Sequence, residues 1–359
     1  MRVVVDGLAL TDGSRLRGLG ITLAHLLPGL AASAALDVVV LARPGAITPN
    51  DATVEPLRRH DLRAKLALLE HEWRTPHDIR RGRPDVVWSP ANHPPRRCAA
   101  PLVQTVHDLT PLVRPSAETD HDARRWRRRA DRLRGAACVV AVSRSSADQA
   151  IRLLGVDAAR VEVVPNGVDP QFTPGHVAAH GPPYVLFVGA WGPHKGYAEA
   201  FAAIAALAEL GYPHVLRMTG PNDEWMRGRV DEVLARATRP DRVEVLGFVD
   251  DLVDLYRGAS ALVFTSRAEG FGLPIVEAMA CGTPVVAFDN TSIPEVAGGA
   301  GVLVPDGDVA AFVTGLRRVL DDRSFAAEHR AAGLEQAARF RWDDAVARYE
   351  EIFVEVGRS

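Results

Sequence analysis

Lysine is almost absent from this chain. Of 42 basic residues only Lys65 and Lys195 are lysines, so arginine carries nearly all the positive charge. Such a bias is the compositional mark of a GC-rich genome, and single arginines therefore carry little functional weight. Lys195, alone in the second half, carries more. Cysteine is as scarce: Cys98, Cys138 and Cys281 are odd in number, lie far apart and form no CxxC or Cys/His cluster. That excludes a disulfide scaffold and a structural zinc site, and leaves small buried thiols in a reducing compartment. No HExxH spacing occurs among the 12 histidines, so no metal centre is expected. Long apolar runs are missing too. CVVAV at 138–142 is strand-sized, far short of the ~18 apolar residues of a membrane span. The opening MRVVVDG reads as a buried strand that leaves no room for a signal peptide. A cytoplasmic protein is expected. The first strand is not followed by GxGxxG, which disfavours a Rossmann dehydrogenase.

What is present describes a globular protein: 47% apolar and 24% charged residues in a chain of 359. At roughly 150 residues per domain the length predicts two domains, each able to bury a core. The formal charge of −3 hides an asymmetry. Residues 1–170 hold 25 basic against 19 acidic residues, a net +6, and the remainder holds 17 against 26, a net −9. The halves are expected to have different roles.

Apolar, β-branched runs alternate with helical patterns. VVVDG (3–7), DVVVLA (37–42), DVVWS (85–89), LVQTVHD (102–108), CVVAVS (138–143) and VEVVP (161–165) form a first series. After the turn-rich NGVDPQFTPG at 166–175 come YVLFVGA (184–190), HVLRMTG (214–220), VEVLGF (243–248), ALVFTS (261–266), PVVAFD (284–289) and GVLVP (301–305). Continuous apolar runs predict strands covered on both faces, hence parallel sheets with helices on each side. The expectation is an α/β protein with two doubly wound, Rossmann-like domains facing a cleft: residues 1–170, residues 171–341, and a last helix from Trp342 packing back on the first domain. Ligands of such sheets lie at the carboxyl ends of strands, which draws attention to the loops.

AEGFGLPIVEAM at 268–279 joins the strand ALVFTS to a helix. Pro274 suits a first helical turn, Gly270 and Gly272 allow close backbone approach, and the free N–H groups of a helix start attract anions. Glu269 stands in the loop mouth and Glu277 one turn into the helix. A solvated loop acid and a dipole-complementing helix acid explain them as well as a ligand does. Yet donors for a diphosphate flanked by carboxylates for hydroxyls is the chemistry a nucleotide sugar needs.

EGFGLPIVE resembles the E-x7-E motif of the retaining GT-B glycosyltransferases of family GT4. The likeness extends over nearly the whole chain, through GLG (18–20), VHDLTPL (106–112), VVPNGVDPQFTP (163–174), FVGAWGPHKG (187–196), VEVLGFVDDLVDLY (243–256) and MACGTPVVAFDNTSIPEVAG (279–298). Within the family it is similar to the O-antigen mannosyltransferase B subgroup. The resemblance implies a GT-B fold, a donor held mainly by the C-terminal domain, no metal and no cofactor beyond the nucleotide-sugar substrate. GDP-mannose is favoured, and a UDP-hexose remains open. By position, Glu269 would meet the hexose hydroxyls, Glu277 the ribose, and the backbone N–H groups of Phe271, Gly272 and Leu273 the hexose and phosphates. Lys195 matches the phosphate-binding lysine, after the strand that ends at Gly189. His107 would lie beside the transferred sugar, while Gly18 and Gly20 would admit the donor phosphates. One departure stands out: Ala190 follows Gly189 where many relatives carry arginine, and His194 precedes the lysine. Phosphate neutralisation would then rest on Lys195 and helix N-termini.

The expected activity is retaining transfer of a hexose to an acceptor hydroxyl of a glycan, a lipid-linked glycan or a secondary metabolite. A GT-B epimerase or phosphorylase-like enzyme, and a non-catalytic nucleotide-sugar-binding protein, remain open. Two further stretches need a reading. DGD at 306–308 resembles a metal-binding DxD, but Asp308 is a natural N-cap for the helix that follows. In DARRWRRRADRLRGA (122–136), Ala123, Trp126, Ala130 and Leu133 form one apolar stripe, and seven arginines from Arg124 to Arg134 occupy the remaining positions. That face is either solvated or a peripheral contact with an anionic membrane or phosphate-bearing acceptor. Nucleic acid is not expected, since no stacking aromatics accompany it.

Overall fold

The computed structural model describes residues 1–7, 10, 18–42, 53–56, 79–91, 95, 97–115, 120–178, 181–190, 192–220 and 224–358. The chain divides into two units, Met1–Gly167 with Arg341–Ser359, and Val168–Phe340.

In the first unit the valine-rich runs become parallel strands because neither face is left to water. They are β1 (Arg2–Asp6), β2 (Asp37–Ala42), β3 (Thr53–Pro56), β4 (Val86–Ser89), β5 (Leu102–Val106), β6 (Cys138–Ala141) and β7 (Val161–Val163). The sheet order is β3-β2-β1-β4-β5-β6-β7, with every pairing parallel. Helix α1 (Gly18–Ala32) follows β1, α2 (Asp120–Arg134) precedes β6, and α3 (Arg144–Leu154) follows it. The sequence pattern missed β3, the edge strand beside β2. TVEP is four residues long, carries a proline and lacks an apolar run; proline is tolerated there because an edge strand has N–H groups to spare.

The second unit repeats the plan: β8 (Tyr184–Val188), β9 (Val215–Thr219), β10 (Val243–Gly247), β11 (Leu262–Phe264), β12 (Val285–Asp289) and β13 (Val302–Pro305). Their order is β10-β9-β8-β11-β12-β13, again parallel throughout. Helices α4 (Tyr197–Glu209), α5 (Val253–Gly258), α6 (Leu273–Ala280), α7 (Val309–Asp321) and α8 (Arg323–Ala337) cover it. Phe187, Phe201, Leu216, Phe288 and Phe312 meet in its core. Asp308 caps α7, its side chain accepting from the Ala311 N–H, as the capping reading of DGD expected.

Helix α9 (Trp342–Arg358) returns to the first unit. The Trp88 ring lies 5.1 Å from Tyr349 and 5.6 Å from Phe353. The Trp88 indole N–H donates to Thr105 Oγ1 at 3.0 Å, and that hydroxyl meets Tyr349 Oη at 2.9 Å. Burying such aromatics is a large term; truncating one to alanine typically costs about 3–5 kcal/mol.

Candidate active site

In both sheets the strand order reverses beside the first strand, between β1 and β4 and between β8 and β11. Such a point opens a crevice at the carboxyl ends of the strands. In the second unit the loops after β8 and β11 meet there. Gly196, with φ of 70°, lies so close to the second loop that a Cβ would stand 2.0 Å from the Thr265 carbonyl oxygen. Only glycine fits. Thr265 Oγ1 donates to the Gly196 carbonyl at 2.7 Å, and the Arg267 N–H donates to the His194 carbonyl at 2.8 Å.

This clasp brings the lone lysine of the second half to the first motif glutamate. Lys195 Nζ lies 2.7 Å from Glu269 Oε1, with the side chains 19% and 12% exposed. Ser266 Oγ donates to the same oxygen at 2.5 Å. A third loop, after β12, contributes Thr291 and Ser292. The Glu269 N–H donates to Thr291 Oγ1, and Ser292 Oγ donates to the Glu269 and Phe271 carbonyls. Glu269 is therefore an enclosed, ion-paired acid, which removes the solvated-loop alternative.

Gly272, at φ of 108°, is the N-cap of α6, and Leu273 and Pro274 open the helix. No acceptor among the described residues takes the N–H groups of Phe271, Gly272 or Leu273. The Phe271 ring is buried edge-on against Phe340. A helix start with open donors beside a lysine is suited to an anion.

Glu277 is 8% exposed. It is not an exposed acid complementing the dipole: its Oε2 accepts from Tyr256 Oη at 2.7 Å. Burial pushes its pKa up to about 7, against the Tyr256 hydrogen bond, which lowers it, and with help from Asp169. Burial also holds the Tyr256 hydroxyl far above its ordinary value. Sequence reasoning missed Tyr256. A tyrosine on a six-residue helix carries the pattern of a core residue, and nothing local marks its partner.

In the first unit, His107 follows β5 and its Nε2 lies 2.8 Å from the Pro90 carbonyl, at the end of β4. A carbonyl only accepts, so Nε2 carries the proton and Nδ1 keeps its lone pair. Burial lowers the His107 pKa, while Pro90 and Asp108 pull it upward. The ring is neutral at pH 7.

The Glycosyl transferases group 1 family matches residues 169–339, and Glycosyltransferase Family 4 matches residues 16–172. The O-antigen chain mannosyltransferase B of Escherichia coli is 30% identical over 312 residues, covering 81% of this chain and 80% of that one. The chain belongs to glycosyltransferase family 4. Among solved structures, the sucrose-phosphate synthase of Thermosynechococcus elongatus is similar at a TM-score of 0.85 and 20% identity, over 99% of this chain and 98% of that one. Anabaena HepE, in complex with UDP-glucose, is similar at a TM-score of 0.76 and 19% identity, over 99% of this chain and 100% of that one. The two sheets are thus the two Rossmann-like domains of a GT-B fold.

Against the family pattern, the missing arginine after Gly189 is not replaced by Arg267. That guanidinium is committed to Glu199, 2.9 Å from Nη1, and to Asp306, 2.9 Å from Nε. Asp306, first of the DGD, also accepts from Asn290 Nδ2 and braces the loops. Gly189 directly follows β8, its N–H donating to the Thr219 carbonyl. Gly18 and Gly20 belong to the first turn of α1 itself, where Thr22 Oγ1 donates to the Gly18 carbonyl.

Helix α2 buries the expected stripe of Ala123, Trp126, Ala130 and Leu133, but also Arg129. Of the other arginines, Arg124, Arg125 and Arg134 pair with Asp120, Asp122 and Asp131. Arg127 and Arg128 make no ion pair among the described residues. No helix among the described residues is long and apolar enough to cross a membrane.

Proposed function

We propose that this family 4 glycosyltransferase moves a hexose from a nucleoside diphosphate sugar to an acceptor hydroxyl, with retention at the anomeric carbon. The observation that carries this is the Lys195–Glu269 pair beside the open N–H groups of Phe271, Gly272 and Leu273. A cation and amide donors suit a diphosphate, and a carboxylate suits sugar hydroxyls. Mannose is the favoured hexose, since a relative at 30% identity is named a mannosyltransferase, and GDP-mannose is the favoured donor.

A nucleoside diphosphate is already a good leaving group, so the protein need not supply a strong nucleophile. The bond from the anomeric carbon to the diphosphate oxygen breaks while the bond to the acceptor oxygen forms on the same face. The acceptor's proton passes to the departing diphosphate. Lys195 and the start of α6 counter the charge that builds there, Glu269 holds hexose hydroxyls, and Glu277 holds the ribose. His107, a neutral ring in the first unit, is assigned the role beside the transferred sugar that the family resemblance gives it. No metal or cofactor takes part. The acceptor is a glycan, a lipid-linked glycan or a secondary metabolite. Any contact with an anionic membrane surface through α2 would rest on Arg127 and Arg128. Free cysteines throughout suit a cytoplasmic setting.

Thermal-shift measurements against GDP-mannose, UDP-glucose and UDP-N-acetylglucosamine test the donor site, because stabilisation follows donor concentration over its dissociation constant. GDP-mannose is expected to stabilise the protein most, and Lys195→Ala to abolish both the shift and transfer. Normal turnover by Lys195→Ala would remove that residue from the mechanism. Release of free nucleotide without acceptor at the full turnover rate would point to an epimerase or hydrolase instead.

A further inference from the structure

Lys195 and Glu269 are the side chains that the proposed function assigns to diphosphate and hexose, yet here they hold each other. Glu269 Oε1 is taken by Lys195 Nζ and Ser266 Oγ, while Oε2 has no partner among the described residues. Two ammonium hydrogens of Lys195 likewise remain open. Both side chains are largely withdrawn from water, so their attraction is screened less than that of a surface pair.

A bare nucleoside diphosphate entering this site meets a lysine whose charge is already matched, and a carboxylate within ion-pair distance of the place its own oxygens would occupy. The diphosphate gives Glu269 nothing in return, because it has no hydroxyls at that end. An intact nucleotide sugar carries the same diphosphate but also offers hexose hydroxyls to Oε2. The same carboxylate therefore opposes one ligand and rewards the other. Arg267 does not compensate, being tied to Glu199 and Asp306.

Resting on the donor-site reading above, we propose that Glu269 sets the preference of this enzyme for intact donor over spent nucleoside diphosphate, by competing with the diphosphate for Lys195. The consequence runs against intuition: removing a binding-site residue should tighten binding of the product.

The test is calorimetric titration of GDP and UDP into the wild type, Glu269→Gln, Lys195→Met and the double variant, each checked for an unchanged melting temperature without ligand. Glutamine keeps the shape and the contact with Ser266 but removes the charge. Glu269→Gln is expected to bind the nucleoside diphosphate about tenfold more tightly, roughly 1.4 kcal/mol, and to lose most of the preference for nucleotide sugar. The gain should vanish in the Lys195→Met background. If Glu269→Gln does not fold, Glu269→Asp, whose shorter arm withdraws the carboxylate from Nζ, should show a smaller gain of the same sign. Unchanged or weaker diphosphate binding by the folded glutamate variants overturns the proposal, and so does an equal gain without Lys195. If neither GDP nor UDP binds the wild type, the donor-site reading fails and this inference with it; wild-type binding without a gain sinks the inference alone.

Discussion

The Tyr256 hydroxyl, fully buried, donates to Glu277 Oε2 at 2.7 Å, while the glutamate itself keeps 8% of its surface exposed. The pair leaves one carboxylate oxygen for a ligand and holds it in one orientation. Phe172 packs edge-on against the Tyr256 ring, and Thr283 Oγ1 donates to the Tyr256 carbonyl at 2.6 Å, so the tyrosine itself is fixed.

Tyr256→Phe should therefore lower donor affinity at pH 7 by about tenfold or more. Loss of one hydrogen bond to a buried acid costs roughly 1–3 kcal/mol. The variant also raises the Glu277 pKa further, because the tyrosine bond is what lowers it. Affinity should then recover as pH rises, with KM moving more than kcat. A pH-independent loss would mean that the tyrosine supports only the fold.

Glu277 also makes a prediction about stability. Its folded pKa is raised from 4.5 to about 7, so between these values the folded state binds more protons than the unfolded state. The contribution is fully favourable below pH 4.5 and is lost as pH rises towards 7. The groups facing it are Tyr256, Asp169 and Cys281. Relative to the wild type, Glu277→Gln should become more stable between pH 5 and pH 8, by up to roughly 3 kcal/mol. Urea unfolding at both pH values measures this; parallel curves would remove the buried charge from the account.

Gly196→Ala attacks the clasp. A left-handed backbone costs alanine about 1–2 kcal/mol, and the Thr265 carbonyl 2.0 Å from the new Cβ forces the two loops apart. The expected result is a destabilised but folded protein in which Lys195 no longer reaches Glu269 and donor binding is lost. Retention of wild-type donor affinity, measured by calorimetry, would show that the loops do not need this contact.

For His107, nitrogen-15 NMR should find a neutral ring at pH 7 with the proton on Nε2, persisting below pH 6.5 because burial lowers its pKa. His107→Ala should keep donor-induced thermal stabilisation in the second unit and lose transfer by about a hundredfold, the scale for losing a group that positions the reacting sugar. Loss of donor stabilisation with retained fold would reverse that assignment.

The strands were legible because burial on both faces leaves a continuous apolar run, and YVLFV or VVAFD could be little else. Helix α6 was legible from Gly272 and Pro274, which mark a helix start by backbone chemistry alone. What the chain did not show locally were the contacts across it. Gly196 and Thr265 are 69 positions apart, and only tertiary packing reveals why a glycine must stand beside Lys195. Tyr256 reads as core until Glu277 is found against it. Thr291, which takes the Glu269 N–H, stands in a stretch that carries the family resemblance, but nothing in it marks that contact. Arg129 stands three residues after Trp126 and four before Leu133, at the edge of the apolar stripe of α2, and is buried with it; its charge, not its helical position, kept it out of an apolar pattern.

Helix α9 has a further consequence, for synthesis. The first unit is discontinuous: Tyr349 and Phe353, which complete the shell around Trp88, leave the ribosome only after the whole of the second unit. The second unit, Val168–Phe340, is fully translated before them, its two ends held together by the Val168 N–H on the Phe340 carbonyl. The second unit can thus finish first, while the first waits with an exposed tryptophan for α9.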